Sequence, residues 1–155
     1  MSAAHKAACF IQILNVGVDV LFANINIIDQ DFQYRENQWV GVEGSRITYL
    51  GDKAPDEVSA ARMGEVYDGE NKLLMPAFYN AHAHAPMTLL RGYAENLPLQ
   101  AWLNDSVFPF EAKITPEDCY WATLLSCAEM ARYGVVSFSD MYYHMDQGAK
   151  AVLEA

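Results

Sequence analysis

Two histidines one residue apart, His82 and His84 in the stretch MPAFYNAHAHAPMTLLRG (residues 75–92), are the side chains of this sequence best suited to chemistry. Residues two apart on a strand leave the same face, so both imidazoles can converge on one point, which is the arrangement of a metal-ligand pair. A polar strand edge or a loop with no bound ion carries the same spacing, and the pair alone leaves both readings open. Position favours a metal, because ligands in α/β folds gather at the carboxyl ends of parallel strands and the pair directly follows an apolar run. The other two histidines, His5 and His144, stand in no motif that would complete a four-coordinate site.

The elements that must hold the pair can be read on either side of it. Residues 73–79 form a continuous apolar run, which predicts a strand buried on both faces with Pro76 near its beginning. Downstream, a short helix is expected over residues 98–107. TPEDCYWATLLSCAEMARYG then has the punctuation of a longer helix: Thr115 as N-cap, Pro116 in the first position, Glu117 and Asp118 in the first turn and Gly134 as the stop. Trp121, Leu124, Leu125, Ala128 and Ala131 recur at helical spacing and are expected to form its core-facing stripe. VVSFSDMYY follows as a second buried strand and QGAKAVLEA opens another helix, so the order strand, helix, strand, helix predicts a right-handed parallel βαβ unit. Upstream, VDVLFANINIID alternates, and QWVGVEGSRITYLGD reads as two short strands around Glu43, Gly44 and Ser45, with Val40 and Val42 on one face.

The totals narrow the function classes. In 155 residues, 52% hydrophobic and 19% charged, 20 acidic side chains face 10 basic ones, a formal charge of -10. Nucleic acid and anionic membrane surfaces are therefore repelled, and neither is expected as a partner. Cys9, Cys119 and Cys127 form no closely spaced pair, which suits reduced thiols in a cytoplasmic compartment. The amino-terminal stretch is not expected to be a signal peptide, because Gln12 and Asn15 interrupt its apolar run and no clear small-x-small cleavage site follows. Residues 1–17 are expected to be an extension, residues 18–72 a β-rich region and residues 73–155 the β/α region.

LLMPAFYNAHAHAPMTLLRG, followed by LPLQAWL, FPFEAKIT and GVVSFSDMYYH, resembles the amino-terminal part of the metal-dependent amidohydrolase superfamily, in particular its 5-methylthioadenosine/S-adenosylhomocysteine deaminase group. Ala81 and Ala83 stand where many such proteins carry threonine. The resemblance implies an α/β fold: the amino-terminal part of a (β/α)8 TIM-type barrel, preceded by strands of a small β-sandwich. It implies a divalent metal, zinc foremost, held by His82, His84 and later residues. It also implies that Glu111 binds the ribose hydroxyls of a purine nucleoside from which metal-activated water releases ammonia.

By that resemblance none of the acid–base residues lies within the 155 residues, and the chain alone is expected to be inactive. Read without it, Glu111 is a solvated surface carboxylate. Trp102 is expected in a helix core and outside the site, and His144 as a polar cap at a strand end. The resemblance puts Asp140 at a position whose role is structural or supports the site from behind its ligands, and Arg91 could pair with an acidic neighbour or with a substrate. The competing expectation is a non-catalytic fragment that persists by dimerising or by binding a partner, because two barrel strands leave open edges.

Overall fold

The computed structural model describes residues 19–155, so the expected extension over residues 1–17, with His5 and Cys9, lies outside the described residues. The described residues divide into two compact units, with the boundary between Phe78 and Tyr79.

The first unit is built on a mixed sheet. Strands β1 (Val20–Ile28), β2 (Tyr34–Glu43) and β3 (Arg46–Gly51) are followed by a single helical turn, α1 (Glu57–Ala60), and by two short strands, β4 (Glu65–Asp68) and β5 (Leu73–Leu74). The order is β3-β2-β1-β4, with β5 also on β1. β1 pairs antiparallel with β2 and parallel with β4 and β5, which share its other edge in succession. The alternating apolar residues of β1 and β2 meet as expected: Ile25, Ile27 and Val40 form the buried cluster, with Phe22, Ile47 and Leu74 packed on it. At Asn24, with φ 54, β1 takes a left-handed step between Phe22 and Ile25, where its register with β2 shifts. Gly69 lies where the chain passes from β4 to β5, and a Cβ there would stand 2.4 Å from Cβ of Ile25, so only glycine fits against β1.

In the second unit β6 (Phe78–Ala83), whose first residue marks the boundary, pairs with β7 (Val135–Asp140). The amide of Met141 donates to the carbonyl of Ala83 at 3.3 Å, which brings the carboxyl ends of the two strands together, as the expected βαβ crossover requires. A 3-10 turn, Ala85–Leu90, leaves β6. A helical run then comprises α2 (Leu99–Ala101), a π-helical stretch (Trp102–Val107) and α3 (Phe108–Glu111). Helix α4 (Pro116–Arg132) begins on a capping box in which Thr115 and Asp118 satisfy each other's backbone amides, and Gly134, with φ 75, lies beyond its end. Helix α5 (Met145–Glu154) packs against α4, with the Tyr120 hydroxyl donating to Glu154.

Three expectations are corrected. The apolar run 73–79 is not one strand: Leu73 and Leu74 pair with β1, residues 75–77 around Pro76 leave strand geometry, and β6 starts at Phe78. Proline has no amide to give a ladder, which accounts for the break. Nor is β6 buried on both faces, since Phe78 and Tyr79 are 55% and 65% exposed, and a two-stranded sheet has too little neighbouring surface to cover them. The core face of α4 is rotated from the one its large residues suggest. Cys119, Ala122, Thr123 and Ser126 are buried while Trp121 and Leu125 are exposed. Small side chains let the 3-10 turn and α5 approach α4 closely, and the bulky residues are left on the other side.

Candidate functional site

His82 ends up beside His84 for local reasons. The side chain of Asn80 accepts the His82 amide at 3.2 Å, and the strand alternation of β6 does the rest. The two Nε2 atoms lie 3.2 Å apart, with the rings nearly perpendicular at 82°. His84 Nδ1 lies 2.6 Å from the carbonyl of Met141, just past β7. A carbonyl can only accept, so His84 carries its proton on Nδ1 and presents the lone pair of Nε2 towards His82.

The carbonyl that orients His84 is itself held. Oδ1 of Asp140 accepts the amides of Ala85 at 3.1 Å and Met141 at 2.8 Å, so one carboxylate fastens the residue after His84 to the residue that orients it. Its Oδ2 is buried with no hydrogen-bond partner among the described residues. From the other side, Thr88 donates to the carbonyl of Ala122 at 3.0 Å, and Arg91 grips Glu129 through two contacts of 2.7 Å, tying the segment after His84 to α4. The two alternatives for Arg91 are thereby resolved in favour of an acidic neighbour, whose carboxyl the guanidinium holds below its ordinary range.

A cavity of about 440 Å³ opens beside His84, and Met87, Trp102, Glu111, Met141 and Tyr142 are among its walls. Glu111 is half-buried there, and its Oε1 accepts the hydroxyl of Tyr142 at 2.7 Å. Burial, and then Glu111 itself, push the Tyr142 hydroxyl strongly up, so it stays protonated and donates. Trp102 corrects the sequence reading: it sits in the cavity wall, at the start of the π-helical stretch, and not in a closed helix core. Tyr142 and Met87 were missed altogether. The signal for Tyr142 was its place two residues beyond Asp140, on the loop leaving a strand end, where side chains of α/β folds meet ligands. His144 is not among the cavity's walls. It is exposed, stands in the left-handed region at φ 51, and its carbonyl accepts the amides of Gln147 and Gly148 at the start of α5. Burial pushes the thiols of Cys119 and Cys127 up, away from the thiolate that reactivity needs.

The histidine pair fits a metal ion. Two nitrogens at zinc-ligand distance on a tetrahedral ion stand about 3.3 Å apart, close to the 3.2 Å observed. Two lone pairs meeting at that distance need a proton or a cation between them, and a histidine fixed through its second nitrogen by a carbonyl is the usual outer support of a metal ligand. Among the described residues no third His, Cys, Asp or Glu joins the pair in a metal-sized group.

Known proteins resemble this chain in sequence and in structure. The profile of the amidohydrolase family matches residues 73–155. A 5-methylthioadenosine/S-adenosylhomocysteine deaminase of Syntrophomonas wolfei is 46% identical over 136 residues, which cover 86% of this chain and 31% of that protein. A 5'-deoxyadenosine deaminase of Methanocaldococcus jannaschii is 43% identical over 129 residues, covering 83% of this chain and 30% of that protein. In structure, an adenosine deaminase from Xanthomonas campestris with bound zinc superposes with a TM-score of 0.73 at 31% identity, over 88% of this chain and 31% of that one. The chain thus spans about a third of the length of the curated relatives it matches. With more than half of its residues inside the family profile, its histidine pair among them, the chain belongs to the amidohydrolase family.

Proposed function

We propose that this chain is the metal-binding beginning of a hydrolytic deaminase for adenine nucleosides of the 5-methylthioadenosine/S-adenosylhomocysteine type. In this reading His82 and His84 are metal ligands and Glu111 binds the ribose. The observation that carries the proposal is the convergence of the two imidazole nitrogens, 3.2 Å apart, beside a cavity that also contains the carboxylate of Glu111. The names of the relatives at 46% and 43% identity support the choice of reaction and substrate. The zinc in the Xanthomonas structure supports zinc as the metal.

The division of labour follows from the side chains. When bound, a divalent cation would supply hydroxide at neutral pH by lowering the pKa of water to about 7. His82 and His84 hold that cation through Nε2, and the Met141 carbonyl keeps His84 in the tautomer that can do so. Glu111 accepts ribose hydroxyls, and Trp102 offers a face for the purine. The net change is replacement of the ring amino group by oxygen, with ammonia leaving. Two imidazoles are half of a four-coordinate site, so further ligands and the proton-transfer groups are assigned to the rest of a full-length protein, and the 155 residues alone are read as inactive.

On the same reading residues 73–155 form the first two β/α units of a (β/α)8 barrel, and residues 18–72 contribute strands to a β-sandwich. The formal charge of -10 supports a small-molecule substrate and no nucleic-acid or membrane partner, and the sparse cysteines support a cytoplasmic location. No helix among the described residues is long and apolar enough to cross a membrane.

The test is metal content by elemental analysis together with ammonia release from S-adenosylhomocysteine and 5-methylthioadenosine, for this chain and for a version extended to the length of its relatives. The extended protein is expected to hold stoichiometric metal and release ammonia, and to lose both on His82→Ala or His84→Ala. A metal-loaded extended protein that deaminates no adenine nucleoside overturns the proposal. The exposure of Phe78, Tyr79, Trp121 and Leu125 favours a second reading, a self-associating module without activity. It predicts a stable oligomer of this chain that releases no ammonia and holds no metal.

A further inference from the structure

We propose that Tyr142 is a positioning residue for nucleoside binding: its hydroxyl holds Glu111 in the orientation that accepts the ribose hydroxyls. This rests on the reading of Glu111 given above and adds to it a residue with no role so far.

Glutamate has three rotatable side-chain bonds, and on a half-exposed helix end it samples many rotamers, so a glutamate that must meet two hydroxyls at once gains from being held. Glu111 is the last residue of α3, and the hydrogen bond across to Tyr142 joins it to the segment leaving β7. Tyr142 is a stiff lever for this task. Its ring has only two torsions, it is half-buried, and it stands between His84, at a centroid distance of 6.2 Å, and Tyr143, at 5.3 Å.

The donor direction follows from the two groups, because a phenol hydroxyl donates and a carboxylate oxygen accepts. Oε1 therefore spends one lone pair on Tyr142, and Oε2 with the remaining lone pair of Oε1 stays available. That leaves enough acceptors for the two hydroxyls of a vicinal diol. Because Met141 orients His84 and Tyr142 orients Glu111, two consecutive residues after β7 set both the metal side and the ribose side of the cavity.

The experiment compares adenosine with 2',3'-dideoxyadenosine in the metal-loaded, full-length protein and in its Tyr142→Phe and Glu111→Gln variants. The same pair of nucleosides is titrated calorimetrically into the metal-free proteins, a readout that needs no turnover. Wild type is expected to favour adenosine, and Glu111→Gln to remove most of that preference. Tyr142→Phe should raise KM and Kd for adenosine about tenfold, the scale of one hydrogen bond to a charged group. It should leave kcat within about twofold and the dideoxynucleoside unchanged, and added to Glu111→Gln it should cost nothing further.

If Tyr142→Phe weakens both nucleosides alike, Tyr142 is merely structural and the proposal is wrong; if it changes neither, Glu111 needs no positioning and the proposal is equally wrong. A wild-type protein that does not distinguish the two nucleosides removes the ribose role of Glu111, and this inference with it.

Discussion

Asp140 shows how much the orientation of the histidine pair depends on a residue that touches neither ring. Its Oδ1 joins the amides of Ala85 and Met141, and Met141 in turn fixes the proton of His84. Removing such outer support costs roughly 10- to 100-fold in metal affinity. Asp140→Ala in the full-length protein is therefore expected to weaken zinc binding by about that factor in a chelator competition, with secondary structure unchanged by circular dichroism. Unaltered affinity would mean that the carbonyl of Met141 holds its place without help.

Asp29 plays a comparable part in the sheet. Its buried carboxylate accepts the amides of Asp31 and Gln33, each at 2.9 Å, and pairs with Arg35 at 2.7 Å, closing the turn between β1 and β2. The Gln33 amide does most to lower its pKa below the ordinary 3.8, against the opposing effect of burial. A carboxyl depressed on folding contributes stability above its unfolded value and loses it as pH falls through the folded one. The sheet is expected to weaken on acidification below about pH 4, and Asp29→Asn to flatten that dependence in urea titrations run at a series of pH values.

Among the elements, α4 does most to seat the cavity's supports. Its capping box depends on Thr115, and removing an N-cap of this kind costs about 1 kcal/mol. Thr115→Ala should lower the urea midpoint accordingly, whereas Trp121→Ala, on the exposed side of the same helix, should change stability less. That ordering reverses what the size of the side chains suggests. In the sheet, Gly69→Ala sets a methyl group against Ile25 and is expected to destabilise the protein far more than glycine-to-alanine changes at open positions.

Across the whole molecule, two compact units carry large apolar residues on their surfaces: Phe78, Tyr79 and Leu125 in addition to Trp121. Large apolar side chains left uncovered favour association with further protein surface. The 155-residue chain is expected to bind a hydrophobic dye and to sediment above monomer mass, and the full-length protein to do the first much less. A dilute monomer of this chain melting in one sharp, cooperative transition would contradict that expectation.

What the sequence determined by itself is whatever depends on near neighbours along the chain. Strand alternation and the HxH spacing put His82 and His84 on one face. The sequence TPED capped α4, and the alternating residues of β1 and β2 chose the buried side of the sheet. Other features rest on contacts between residues far apart: the Met141 carbonyl on His84 across 57 positions, Tyr142 on Glu111 across 31 and the pairing of Arg91 with Glu129 across 38. The face that α4 buries belongs to the same class, because it was set by the small side chains that allow the 3-10 turn and α5 to come close. Periodicity records which residues share a face, but close packing decides which face is covered.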